Sequence, residues 1–194
     1  MKDVVMEKPR LMKQTQSREF FGHHMLLHAA ELQLEQARQS EAGRFNNCLS
    51  AMTMTALSVE ALLNAVGSRA IENWEPFERL RPHEKIVSLQ TKLGFSYDSA
   101  KHPWDTLRYL SGFRNNIAHA KPEFVEETTH FVEPATNATF LPPQSKLERE
   151  ITVGNACRCL KAVQALKGIL TDALPDELRL GIFVDSWSGS TELA

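Results

Sequence analysis

The sequence is poor in the signatures that usually declare a chemistry. Its 194 residues hold three cysteines, an odd number, and residues 1–16 are charged rather than apolar. A disulfide framework and a secretory leader are therefore both unexpected, and a cytoplasmic chain with reduced thiols is the expectation. Cys157 and Cys159 would lie roughly 200° apart around a helix, unlike the ligands of a CxxC zinc knuckle, so they are read as buried or neutral thiols. No apolar run is expected to reach membrane-spanning length, and no membrane partner is expected. The formal net charge of −2 excludes the broad basic footprint of a protein that grips long nucleic acid, leaving room for a local basic site only.

Glycine-rich phosphate loops of the GxGxxG and GxxxxGKS forms are missing, and so is a GxSxG elbow, which argues against ordinary nucleotide hydrolysis and against an esterase. His24 and His28, next to His23, have the i, i+4 spacing of helical metal ligands, but no HExxH accompanies them and a third ligand would have to come from elsewhere. Packed or exposed histidines are the expectation, with no metal and no cofactor. There is no internal repeat and no low-complexity tract.

What is present is helical periodicity. Hydrophobic residues make up 42% and charged residues 24%, average values for a globular chain, and the length suits one core. Residues 17–39 place Phe20, Phe21, Met25, Leu27, Leu32 and Leu34 at helical spacing. After Gly43, Phe45, Leu49, Met52, Ala56, Val59, Leu63 and Val66 recur at threes and fours and predict the clearest helix, with Gly67 as its stop. Residues 74–82 read as a connection with one helical turn, and a shorter helix follows over 83–93. Pro103 opens a helix carrying Trp104, Leu107, Leu110, Phe113 and Ile117, expected to close at Ala120 ahead of Pro122.

Four prolines and no sustained periodicity make residues 121–144 a long loop. Ser145 with Glu148 forms a capping-box signature for a last long helix through Leu147, Ile151, Leu160, Val163, Leu166 and Leu170, ended by Pro175. The organisation predicted is an extension over 1–16, a bundle over 17–174 and a peripheral tail over 175–194 in which residues 181–184 form a short strand. The fold class is all-α: an up-and-down bundle of four to five helices with one long loop.

On the fourth helix, Arg114 falls within the apolar sector of Leu107, Leu110, Phe113 and Ile117, whereas Asn115 and His119 face another side. A guanidinium keeps its charge, so at such a position it needs an acceptor or water. Glu60 on the second helix, with Asn64 one turn further, is the expected acceptor, either as a structural ion pair or as part of a working site. His119 is in the last turn, where the helix dipole favours imidazolium and Arg114 opposes it. A histidine balanced in that way can both take and give protons near neutral pH.

The stretch FRNNIAHAKPE, residues 113–123, resembles the arginine-to-histidine motif of the HEPN superfamily, in which four to six residues separate the two, with the common asparagine directly after the arginine. ALSVEALLNAVG, residues 56–67, resembles the preceding bundle helix of that superfamily, and the similarity spans roughly residues 17–174. The resemblance implies a homodimeric, metal-independent endoribonuclease, often a toxin with an antitoxin partner or a defence component. His119 would act on the ribose 2′-hydroxyl or the leaving oxygen, Arg114 would stabilise the phosphate, and Asn115 would orient the imidazole or bind phosphate, with Glu60 and Asn64 in support. It equally implies an alternative, a nucleotide- or RNA-binding or scaffold module without cleavage. A third account makes Arg114 and His119 dipole-complementing cations at a helix end.

Helical geometry sets Arg114 and His119 about 140° apart, so a working site requires a second chain or a distorted helix end. Lys85, Lys92, Lys101, Arg108 and Lys121 bracket the motif and are either a local basic site or solvated helix faces. Trp104, Tyr109 and Phe113 could stack bases, although Trp104 and Phe113 share the apolar side and are read as core, as are Met52 and Met54. Asn137-Ala138-Thr139 is formally a glycosylation sequon without meaning in the cytoplasm.

Overall fold

The computed structural model describes residues 11–128, 130, 142–183 and 187–193. The sequon at 137–139 and half of the loop expected over 121–144, residues 129 and 131–141, lie outside them. The order is β1 (Met12–Arg18), α1 (Gly22–Gln39), α2 (Arg44–Ala70), a 3-10 turn (Glu75–Phe77), α3 (Pro82–Leu93), α4 (Trp104–Ala118), α5 (Lys146–Glu150), α6 (Val153–Ala173), α7 (Asp176–Arg179) and β2 (Trp187–Leu193). The chain is thus predominantly helical, with one two-stranded sheet.

Helix α1 does not begin at residue 17 as expected, because residues 12–18 are extended and pair with β2. Its buried face is only in part the one the apolar spacing suggests: Phe21, Leu27 and Leu34 are buried as expected. His23, Leu27, Ala30, Leu34 and Ala37 turn inward, while Phe20, Met25 and Leu32 are exposed. The two alanines explain the choice: small side chains let α1 lie close against α2 along its length. A short turn ending at Gly43, whose φ of 72° is left-handed, folds the two helices into an antiparallel hairpin.

Helix α2 is the axis of the fold and packs on α1, α3, α4 and α6. Met52, Val59, Leu63 and Val66 are buried as predicted, and Cys48, Ala51, Thr55, Ser58 and Leu62 join them because helices cover α2 on several sides. Phe45, at its outer end, is left exposed. The two core hydroxyls are satisfied within the helix, Thr55 Oγ1 donating to the Ala51 carbonyl at 2.6 Å and Ser58 Oγ to the Thr55 carbonyl at 2.7 Å. By length and composition α2 alone among the described helices could cross a membrane, contrary to expectation, yet here it is the central core helix. Burial raises the Cys48 thiol and pushes that of Cys159, on α6, up to about 11.

Gly67 is not the stop of α2. The helix runs on to Ala70, and Gly67 is the point where the Trp74 ring lies against its backbone. Trp74 in turn stacks on Phe77, with centroids 5.2 Å apart and planes 7° from parallel, which fixes the turn between α2 and α3. Helix α3 starts at Pro82, where the Arg81 N–H donates to the Glu84 carboxylate at 2.8 Å, and ends at left-handed Gly94. Helix α4 buries Trp104, Leu107, Leu110 and Phe113 as predicted, but it closes at Ala118 rather than Ala120.

The last long helix is in fact two. Ser145 and Glu148 form the capping box that opens α5, with Ser145 N–H to the Glu148 carboxylate at 2.7 Å. Ile151 then turns its side chain into the core, and Thr152 caps a new helix by accepting from the Asn155 N–H at 3.1 Å. The run Ile151, Thr152, Val153 and Gly154 is a weak helix former that carries its own capping residue, so burial and capping win over continuity.

The tail is not peripheral. Ile182 is wholly buried, and its carbonyl bonds the His23 Nε2 atom at 2.7 Å. Residues 181–183 are a turn rather than a strand, and Val184 lies outside the described residues. The strand lies further on, where β2 pairs antiparallel with β1 from Met12 opposite Leu193 to Arg18 opposite Trp187. An added methyl at Gly67 would collide with the Trp74 ring. Gly67→Ala is expected to lower unfolding stability by about 1–3 kcal/mol in urea titrations, with a matching loss of Trp74-dependent near-ultraviolet dichroism.

Candidate functional site

Arg114 leaves the apolar side of α4 half-buried, beside α2. Its Nη2 atom is 3.9 Å from Glu60 Oε2, and its Nη1 donates to Asn115 Oδ1 at 3.1 Å. The first contact is a loose ion pair between groups 43% and 38% exposed, too wet to contribute much stability and free enough to be displaced by another anion.

Beneath this pair lies a group that sequence reading misplaced. Lys85 on α3 is 0% exposed, rather than one of the surface lysines bracketing the motif. Its ammonium donates to Asn64 Oδ1 at 2.8 Å and stands 3.6 Å from Glu60 Oε1. The two expected supporting residues are therefore brought together by a cation on a third helix. Glu60 touches Arg114 with one oxygen and Lys85 with the other, while Asn64 is turned to Lys85 and away from Arg114. A buried ammonium requires such acceptors. Sequence pattern alone could have suggested this, since Lys85 shares a helical face with Leu89 and neighbours Ile86.

Arg114 and Asn115 line a cleft of about 500 Å³ between α2, α4 and the segment that leads into α3. That segment supplies Arg79 and Arg81, and the first turn of α3 supplies His83. The sequence predicts a connection with one helical turn over 74–82 and a helix from residue 83, and its pattern singles out none of these three residues. Among the described residues neither the Arg79 nor the Arg81 guanidinium has an ion-pair partner. The carboxylate of Glu60 therefore shares the cleft with three arginines, with Arg114 beside it, and meets the Lys85 ammonium through its other oxygen. On a chain of net charge −2, this is a local cationic site suited to a phosphate or another anion.

His119 is not in that cleft. Its backbone leaves the helix at φ −122° and ψ 25°, with its N–H still bonded to the Asn115 carbonyl at 3.0 Å. The exposed imidazole lines a second, shallower cleft of about 800 Å³ with Lys121, Lys146, Glu123, Glu148 and Glu150. There carboxylates outnumber lysines, and hydrogen bonds from the Ser145 backbone and hydroxyl hold the Glu148 carboxyl below its usual range. Asn115 borders both clefts and is the hinge between them. One chain thus keeps the Arg114 guanidinium and the His119 imidazole in different clefts, and the bend at His119 does not unite them.

The histidines of α1 are engaged otherwise: the His23 and His24 rings lie 4.1 Å apart, and His23 holds Ile182. Among the described residues, no three His, Cys, Asp or Glu side chains converge as a metal site would need. Burial, followed by the Glu150 carboxylate, pushes the Tyr109 phenol up to about 12, and the Arg158 guanidinium lies 4.7 Å above its ring. Tyr109 is therefore occupied by the protein rather than open for base stacking.

Lys85→Ala is expected to cost about 1–3 kcal/mol of stability, because Asn64 loses its donor and a cavity is left. Glu60→Gln should cost less, its carboxylate being reached by water, and paired urea titrations of the two variants test that ranking. Searches with protein-family models and of curated proteins and solved structures return no match to this chain, so its functional reading stands on this geometry and on the motif at Arg114 and His119.

Proposed function

We propose that the chain is a homodimeric endoribonuclease of HEPN type, in which the Arg114 cleft of one subunit holds an RNA phosphodiester and His119 moves protons at the scissile bond. The observation that carries the proposal is that Arg114, Arg79 and Arg81 line one cleft in which Glu60 is the single carboxylate among the described residues. Phosphodiester oxygens accept in-plane hydrogen bonds from guanidinium groups, and a phosphate would replace Glu60 as the partner of Arg114.

The cleavage step is an in-line transesterification. The 2′-hydroxyl loses its proton and attacks phosphorus, the bond to the 5′-oxygen breaks, and the leaving oxygen takes up a proton. The products are a 2′,3′-cyclic phosphate and a 5′-hydroxyl end. His119 from one or both subunits would serve as base and acid, and Arg114 would stabilise the charge that builds on the nonbridging oxygens. Because one chain keeps the two residues in different clefts, the reaction needs a partner subunit to bring a His119 to an Arg114. An antitoxin or other protein partner that covers the cleft belongs to the same proposal.

The same separation of clefts favours a second reading, an RNA- or nucleotide-binding module without cleavage, in which Arg114 binds and His119 only ends a helix. The two are told apart with purified protein and single-stranded RNA in EDTA. Cleavage to cyclic-phosphate ends that falls at least about 100-fold in His119→Ala, with the helical circular dichroism unchanged, is the result expected of the nuclease. Saturable binding weakened by Arg114→Ala, with no cleavage at any dimer concentration, would support the module and reject the nuclease.

A further inference from the structure

Next to the cationic cleft lies a second concavity of different chemistry. It measures about 460 Å³, within the span of roughly 300–1,000 Å³ usual for small-molecule sites. Pro82, His83, Leu107 and Ser111 line both, so the two share a wall. Its other side is built from Ile86, Tyr97 and Trp104, with Ser99 and Arg108 as polar groups.

The aromatic wall is rigid. Trp104 stacks on Phe95 with centroids 5.8 Å apart and planes 15° from parallel, and Tyr97 meets Trp104 edge to face at 5.1 Å. Trp104 is buried in the core, whereas Phe95, Tyr97 and Ser99 belong to the loop between α3 and α4, the two rings partly buried against the core and Ser99 exposed. An apolar, aromatic pocket with a few hydroxyl, imidazole and guanidinium groups at its edge, beside a cluster of arginines, has the two-part chemistry of a nucleotide: a flat heterocycle joined to a phosphate.

We propose that the Ile86, Tyr97 and Trp104 pocket receives the base of the nucleotide whose phosphate lies against Arg79, Arg81 and Arg114, and so sets which base the site prefers. This rests on the reading of the arginine cleft as a phosphodiester site and adds to it a base-selecting subsite. A base in this pocket is turned out of any stack, so the occupant is a single-stranded or terminal nucleotide; duplex RNA keeps its bases out of reach. Ser99 and Ser111 can each donate or accept a hydrogen bond, while Arg108 only donates. Carbonyl-bearing edges satisfy all three groups, whereas an edge made of donors alone leaves Arg108 without a partner.

The test is titration calorimetry of the full chain with the four nucleoside 5′-monophosphates, ribose 5-phosphate and inorganic phosphate. At least one nucleotide is expected to bind about tenfold or more tightly than ribose 5-phosphate, the four to differ among themselves, and Ser99→Trp, which fills the pocket from an exposed loop position, to reduce that nucleotide to the affinity of ribose 5-phosphate. Arg79→Ala with Arg81→Ala is expected to weaken nucleotide and ribose 5-phosphate alike.

Ribose 5-phosphate binding as tightly as every nucleotide, unaffected by Ser99→Trp, would overturn the base pocket and leave the phosphate cleft in place. Absence of binding by ribose 5-phosphate, inorganic phosphate and all four nucleotides would overturn both.

Discussion

The ammonium of Lys85 is the group on which the candidate site depends. A charge taken wholly out of water must find oxygen, and here the oxygens come from α2, one turn apart on the same side of that helix. The requirement pins α3 against α2 at a chosen rotation and height. Because Glu60 is shared, the same requirement reaches α4 through Arg114. Three helices are thereby registered by one polar cluster beside the aliphatic and aromatic packing of the bundle, and apolar surfaces alone tolerate sliding more readily than such a cluster does. The segment before Pro82 is carried along, which is how Arg79 and Arg81 come to line the same cleft as Arg114.

Much of this architecture was legible from periodicity. The α2 and α4 stripes, the turn near residues 75–77, the stops at Gly94 and Pro175 and the capping box at Ser145 all follow from local chemistry that acts within a few residues, and the structure has them. What was hidden depends on distant parts of the chain. The face that α1 buries is chosen by Ala30 and Ala37 fitting against α2, although Met25 and Leu32 are more apolar. The pairing of β1 with β2 joins segments at opposite ends of the chain, and no window of sequence holds both. The break at Ile151 needed knowledge that its side chain is drawn into the core.

The site was legible in the same uneven way. A charge interrupting an apolar stripe pointed to Arg114 and to an acid on the facing helix, and the Glu60 carboxylate does lie beside it. Angular bookkeeping along α4 also set His119 apart from Arg114, and the two do line different clefts. The arginines at 79 and 81 escaped notice because they sit in a segment without periodicity, where a basic residue carries no information about what it faces. For Lys85 the sequence left a local basic site and a solvated helix face both open, and the second fails because acceptors on α2 let the ammonium be buried.

The two strands have a further consequence, for the order in which the molecule is made. In a chain that grows from its N-terminus, β1 and the first turn of α1 emerge early, yet β1 meets its partner only after residue 187 is available. The α1–α2 hairpin can close from nearby segments, whereas the sheet and the contact of His23 with Ile182 close across 159 or more positions. Until residues 187–193 follow, the backbone of β1 therefore lacks its partner strand, an open edge of the kind that other chains can pair with.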